Sequence, residues 1–480
     1  MKPTPILVGL FLTITGVFAG CNKGLNVKTN YGPVQGHYGQ NNSDTSVREF
    51  LGIPYASAPR FTPPTSPKKW STPLQASRFG PGCYITTIKS APGFGSAPVT
   101  VPPAERVDEE CLSVNVWTPS KARLRELKKK GVKRLPVMLW TYGGGFMVGS
   151  SDYGIYNGAK MVRDQDVVVV SYNYRLGIFG YPSSRGLGDG PTNFGLLDVR
   201  AAVEWTRDNI HRFGGDPCRI TLFGQSAGSR AVDAYLYFSS SAPIIHAAIL
   251  QSGTINNTRA EREPGYQFAK LAEGLGCPSD DTAALECVRG KPAKEVQEKT
   301  NELGLQFVPT PDGKTVFADS WERSKRGEFA RVPLLIGAAN EETPGSTLPA
   351  RLATAHTYVC PAERRARSAS QHTPTWLYRF YGNFPAQSGA LTPGPFHGSE
   401  ITQVFGTFNQ AIATEEQRSS SRTIQDLWVR FAGEPEKALA QWPRYEPHGE
   451  RVLRLAWENG DEVGLGDVEE GHPLCEAFSG

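Results

Sequence analysis

Short runs of β-branched and aliphatic residues recur along the chain, separated by stretches whose apolar positions fall at helical spacing. Val137-Met-Leu-Trp140, Arg219-Ile-Thr-Leu-Phe223, Ala247-Ala-Ile-Leu250 and Val332-Pro-Leu-Leu-Ile336 read as buried strands. Asp166-Val-Val-Val-Val-Ser-Tyr172 is a continuous β-branched run, the pattern of a parallel strand covered on both faces. Leu196, Val199, Val203 and Ile210 recur at helical offsets, which predicts an amphipathic helix over 196–210, and Ala227 to Leu236 reads as the start of another. Alternating strands and helices imply an α/β chain with a mostly parallel central sheet and helices on both faces. The basic stretch from Lys121 to Arg134 reads as a solvated connection before the 137–140 strand, a reading that outweighs a heparin or acidic-surface site. No internal repeat or low-complexity tract breaks the pattern.

The predicted strand at 219–223 stops abruptly at Gly224-Gln-Ser-Ala-Gly228. A serine between two glycines, with a strand before it and a helix after it, has the layout of a nucleophile elbow. The sharp turn lifts the hydroxyl of Ser226 out of the sheet, and Gly224 and Gly228 are needed because side chains there would collide where strand and helix backbones pass. The free N–H groups and dipole of the following helix favour a negative charge developing beside Ser226. A short G-x-S-x-G pattern arises by chance in a chain with 51 glycines, and it is the strand and helix around it that give it weight.

Phe213-Gly-Gly-Asp-Pro-Cys-Arg-Ile-Thr-Leu-Phe-Gly-Gln-Ser-Ala-Gly228 resembles the serine signature of the type-B carboxylesterases, the α/β-hydrolase family of cholinesterases and fungal lipases. Glu109-Glu-Cys-Leu-Ser-Val-Asn115 is similar to the family's second signature, with Glu110 where the family usually has Asp, and further matches run from Phe50-Leu-Gly-Ile-Pro-Tyr55 to Trp442-Pro443. The resemblance implies an α/β-hydrolase fold and a Ser, acid, His triad in that chain order. Tyr142-Gly-Gly-Gly-Phe146 follows a strand upstream of the elbow, and glycine there allows close backbone approach to a ligand. The resemblance singles out the N–H groups of Gly144 and Gly145, with that of Ala227, as an oxyanion hole. Glu341 and Glu342 follow the 332–336 strand, and the family pattern counted from Gly337 selects Glu342 as the acid. Pro395-Phe-His-Gly-Ser-Glu400 is similar to the family's histidine loop, which makes His397 the base, and Ser252 matches a serine that supports the acid.

These roles imply two-step acyl transfer. His397 deprotonates Ser226, the serine attacks an ester carbonyl, and water later releases the acid, with no metal or organic cofactor required. A catalytically weak or inactive recognition protein on the same fold is the alternative, and the presence of all three triad residues weighs against it. One departure stands out: only 55 residues separate Glu342 from His397 (397 minus 342), about half the family's usual spacing. This predicts a shortened cap region, and therefore an open pocket, unless the sequence itself is incomplete. Between Cys83 and Cys111 the chain has Tyr84 and Phe94 but no Trp, the residue with which cholinesterase relatives hold a quaternary ammonium. Little preference for a cationic alcohol is expected.

Composition narrows the context. A length of 480 residues with 39% hydrophobic content supplies a large core, and a net charge of +4 gives no sign of a nucleic-acid partner. The expected substrate is a small-molecule or lipid ester. Residues 1–19 have the layout of a secretory signal peptide, followed by one α/β-hydrolase domain over 20–480, and no later stretch is apolar enough for a transmembrane segment. Phe18-Ala-Gly-Cys21 also resembles a bacterial lipobox, which makes a lipid anchor at Cys21 the second reading behind a secreted protein. The 8 cysteines fit export and lack metal-ligand spacing. The resemblance implies disulfides Cys83 to Cys111 and Cys277 to Cys287. Apart from the resemblance, Cys360 and Cys475 are a third pair that would staple the C-terminus, which leaves Cys21 and Cys218 over, Cys218 as a small residue beside the elbow strand. Asn41 and Asn256 open N-glycosylation sequons.

Overall fold

The computed structural model describes residues 24–86, 106–255, 265–345, 347–385, 387, 394–447, 451–467 and 475, with backbone only at 40 and 41. An eleven-stranded sheet organises the chain: β1 (His37–Tyr38), β2 (Asp44–Pro54), β3 (Ser113–Pro119), β4 (Leu135–Thr141), β5 (Val168–Tyr172), β6 (Gly215–Gln225), β7 (Ala247–Gln251), β8 (Leu334–Ala339), β9 (Thr375–Phe380), β10 (Arg451–Leu455) and β11 (Gly464–Asp467). Their spatial order is β1-β2-β3-β5-β4-β6-β7-β8-β9-β10-β11. The sheet is parallel from β5 to β10, and antiparallel between β1 and β2, β2 and β3, β3 and β5, and β10 and β11. Helices cover both faces, as the α/β reading expected.

The strands are mostly apolar, with polar residues such as Ser171, Gln251 and Arg379 within them, and β4, β5, β7, β8 and β9 are buried along their whole length. That is the burial expected when helices lie on both sides of a parallel sheet. Helix α1 (Phe194–Asn209) turns Leu196, Val199 and Val203 inward, all fully buried. Helix α2 (Ala227–Phe238) follows the elbow, α3 (Cys360–Ala369) precedes β9, and α4 (Glu415–Gly433) packs against β4 and β6. At the sheet centre the ring of Trp140 lies 4.8 Å from Phe223 and 5.1 Å from Phe405, so β4, β6 and the segment after the histidine loop share one core. The buried Arg175 guanidinium donates to both Asp198 oxygens, at 2.8 and 2.7 Å, which fixes the loop after β5 to α1.

One expectation meets a different outcome. The basic stretch is not a plain connection: Lys121–Lys129 is helical, capped by the Ser120 hydroxyl, with Leu124 and Leu127 docked on the core while the charges stay in solvent. The high charge hid a helix that needs only two apolar contacts. Cys218 sits on the elbow strand and is exposed. The short stretch between Glu342 and His397 holds helix Leu348–Thr354, a π-helical turn at Ala355–Val359, α3 and β9. All three disulfides form: Cys83 with Cys111, Cys277 with Cys287, and Cys360 with Cys475. Among the described residues no helix is long and apolar enough to cross a membrane. Cys21, Asn256 and residues 1–19 lie outside the described residues, as does the side chain of Asn41.

The closest backbone passage in the fold is at Gly228, where a Cβ would lie 2.0 Å from the Thr141 carbonyl oxygen and 2.6 Å from that of Tyr142. A methyl group there forces the end of β4 off the start of α2, at a cost of about 1–3 kcal/mol or more. Gly228→Ala is expected to lower Tm by several degrees in differential scanning calorimetry. Gly154→Ala, where a Cβ meets nothing within 4 Å, should leave Tm nearly unchanged.

Candidate active site

Strands β4 and β6 run parallel with Thr141 opposite Gly224. The loop at 143–145 and the serine at 226 therefore leave neighbouring strand ends at the same level. This is also where the strand order reverses, since β5 follows β4 on one side and β6 returns to the other. The crevice beyond the carboxyl ends of strands at such a point is the general ligand position of open α/β sheets.

Ser226 sits at φ 58° and ψ −123°, a conformation unfavourable for a residue with a side chain. The surrounding structure holds it there. Its N–H donates to the Gln251 carbonyl at 2.8 Å, its carbonyl accepts from Arg230 N–H at 3.0 Å, and α2 begins at the next residue. Gly224 and Gly228 touch across the turn, a Cβ at Gly224 coming within 2.7 Å of Gly228 and of the Thr141 carbonyl oxygen. The elbow reading of the two glycines is met in contact detail.

In the loop after β4, Gly144 and Gly145 have φ of 121° and 64°. A Cβ on Gly144 would lie 2.1 Å from the Val148 carbonyl oxygen, because the loop turns tightly back to bond Val148 N–H to the Gly144 carbonyl at 3.0 Å. Among the described residues, the N–H groups of Gly144, Gly145 and Ala227 donate to no protein acceptor. Unspent donors around a half-buried serine are what an anion would complete.

Glu342 and His397 are brought together by their backbones. Glu341 N–H donates to the Pro395 carbonyl and His397 N–H to the Glu342 carbonyl, each at 3.1 Å. Fully buried Glu342 accepts the Ala339 N–H at 2.8 Å on Oε1 and the Nδ1–H of His397 on Oε2. This bond holds the imidazole proton on Nδ1 and leaves Nε2 as the basic nitrogen. Glu341 is exposed. Of the two neighbouring carboxylates, the one selected from the sequence is the one that reaches the imidazole.

Two contacts depart from expectation. Among the described residues the Ser226 hydroxyl makes no hydrogen bond, and the Gln225 amide nitrogen lies 3.2 Å from Nε2 of His397 and 3.5 Å from Nδ1. A nitrogen that close to both ring nitrogens cannot lie along either lone pair, so this contact is not a well-formed hydrogen bond to the imidazole. Long serine-to-base geometry is common before substrate binds. Ser252 is buried at φ 55°, and among the described residues its hydroxyl has no hydrogen-bond partner, so it makes no bond to Glu342.

A second buried carboxyl, Glu400, went without a role in the sequence reading. It lies three residues past His397 in the very run that identified the base, which is the signal that pointed to it. Burial first, and then the neighbouring Glu342, push its pKa up to about 7, against a hydrogen bond from Gln251 at 3.2 Å. Gln251 is itself held by Trp428 Nε1–H at 3.3 Å. Two carboxyls buried side by side do not both ionise cheaply, and Glu400 stays neutral below about 7.

The Carboxylesterase family profile matches residues 23–349 and 347–466. The chain belongs to the carboxylesterase family. It is 33% identical over 492 residues to chlorogenic acid esterase of Aspergillus niger, covering 93% of this chain and 94% of that protein. Secreted lipase 5 of Gibberella zeae is 32% identical over 471 residues, covering 86% and 87%. A solved PNB esterase superposes with a TM-score of 0.76 at 28% identity, covering 92% of this chain and 97% of the esterase. The cholinesterase-like α/β-hydrolase fold and an ester-hydrolase activity follow from this membership.

The raised pKa of Glu400 makes stability depend on pH in a defined direction. The folded chain keeps this proton up to about 7, whereas the unfolded carboxyl releases it near 4.5. The folded state thus binds more protons between those values, and the contribution of Glu400 to stability falls as pH rises through that window. Glu400→Gln should raise Tm relative to the native chain at pH 8 and change it much less at pH 5, read by calorimetry at both.

Proposed function

We propose that this carboxylesterase is an exported serine hydrolase that cleaves carboxylic esters through an acyl-enzyme on Ser226. His397 removes the hydroxyl proton as Ser226 attacks the ester carbonyl, and the N–H groups of Gly144, Gly145 and Ala227 receive the oxyanion. Glu342 fixes the imidazole and offsets its positive charge. His397 then protonates the leaving alcohol, and water repeats the sequence to free the acid.

The observation that carries this reading is the convergence at one sheet edge of a strained serine, three unspent N–H donors and a histidine bonded to a buried carboxylate. Each is a separate requirement of acyl transfer, and a recognition protein needs none of them. The substrate is a neutral small-molecule or lipid ester. In support, relatives are named as esterases and a lipase, and the Cys83 to Cys111 loop lacks the Trp that would hold a cationic alcohol. Residues 1–19 act as a signal peptide and residues 20–480 as one catalytic domain, with three disulfides supporting an oxidising destination. Asn41 and Asn256 would carry glycans in a eukaryotic secretory route.

The triad assignment separates two neighbouring residues by activity. Glu342→Gln removes the charge that stabilises the imidazolium and should lower kcat by a factor on the order of 10⁴. Exposed Glu341→Gln should change it less than about tenfold. Steady-state hydrolysis of p-nitrophenyl butyrate by both variants, each checked for native folding by circular dichroism, reads the difference, and reversed results would move the acid to Glu341.

A further inference from the structure

We propose that Tyr358 is a positioning residue for the general base, an inference that rests on the triad reading above. Its ring centroid lies 4.5 Å from that of the His397 imidazole, with the planes inclined at 38°. Tyr358 belongs to the short connection that takes the place of a fuller cap, and it sits inside the π-helical turn Ala355–Val359. A π turn adds one residue to an otherwise α-helical run and persists only where something compensates it. Without that extra residue, position 358 would point roughly 100° away around the helix axis.

The turn is anchored on both sides. Before it, the Thr354 hydroxyl accepts Thr343 N–H at 3.0 Å, which ties the helix to the loop carrying Glu342. After it, Cys360 is bonded to Cys475, and the fully buried Arg365 of α3 donates to Asp233 of α2 at 3.0 Å. The helix that presents Tyr358 is thereby locked to the helix that starts at Ser226. The other groups facing the imidazole are Glu342 at Nδ1 and the Gln225 amide, with Glu400 close by and Tyr378 and Arg379 beyond the two carboxyls on β9. Tyr358 therefore supplies the aromatic surface on a ring that becomes a cation during each proton transfer. An aromatic face attracts a cation, so the ring both restrains the imidazole and favours the imidazolium as Ser226 gives up its proton.

Tyr358→Leu should lower kcat/KM for p-nitrophenyl butyrate by about five- to thirtyfold. It should also move the acid limb of the kcat/KM profile to lower pH by about half a unit, because the free enzyme's imidazolium loses its aromatic partner. Tyr358→Phe keeps the ring and should restore both. Tyr358 is half-buried, and Tyr358→Gln serves as a second ring-less variant read in the same way should the leucine variant misfold. A role in packing alone would lower Tm and leave the acid limb in place, which overturns the inference, as does a kcat/KM within twofold of the native value. A fluorophosphonate probe on the native protein separates the two levels: no labelling at Ser226 overturns the triad reading, whereas labelling with an unmoved Tyr358→Leu profile overturns the positioning role alone.

Discussion

The close passage of the end of β4 under the elbow is the constraint on which the rest of the site depends. Parallel pairing with Thr141 opposite Gly224 brings two loops to one level, and only glycine at 224 and 228 lets the backbones come near enough to touch. From that single contact follow the strained φ of Ser226, the nearness of the Gly144 and Gly145 amides, and the start of α2 immediately behind the hydroxyl. The sheet stores the strain, since the buried strands on either side leave the turn nowhere to relax.

A second economy concerns charge. Burying Glu342 completely would be costly without partners, and the Ala339 amide and the imidazole provide them. Burial and the neighbouring Glu342 hold Glu400 neutral below about 7, which limits the negative charge gathered beside the imidazole. The aromatic contact from Tyr358 acts on the same imidazole, so acid, neutral carboxyl and ring converge on one cation.

Residues whose role is fixed by local sequence were legible. The elbow, the glycine loop and the Glu341-Glu342 pair lie in short runs with fixed spacing, the first two cysteine pairs came from the family resemblance, and several strands announce themselves by mostly apolar stretches. What was not legible depends on contacts between distant segments. Gln225 meets His397 across 172 residues, and nothing in its sequence context says which way its amide turns. The π turn at 355–359 has no compositional mark, because one inserted residue changes the spacing without changing the residue types. Ser252 matched a pattern, yet among the described residues its hydroxyl bonds to nothing, because the direction a hydroxyl takes is set by packing that the local sequence does not show. The helix at Lys121–Lys129 was masked by its charge, although Ser120 stood at its start as a capping signal.

The central claim is a covalent ester on one named oxygen. Native protein mixed with p-nitrophenyl acetate, quenched in acid within the first turnover and digested, can be read by peptide mass spectrometry alongside the nitrophenol burst. An acyl-enzyme on Ser226 requires an acetyl group on the peptide containing Ser226, in proportion to the burst, and none in Ser226→Ala. Turnover with an unmodified Ser226 peptide, or acetylation of another residue that accounts for the burst, would contradict it.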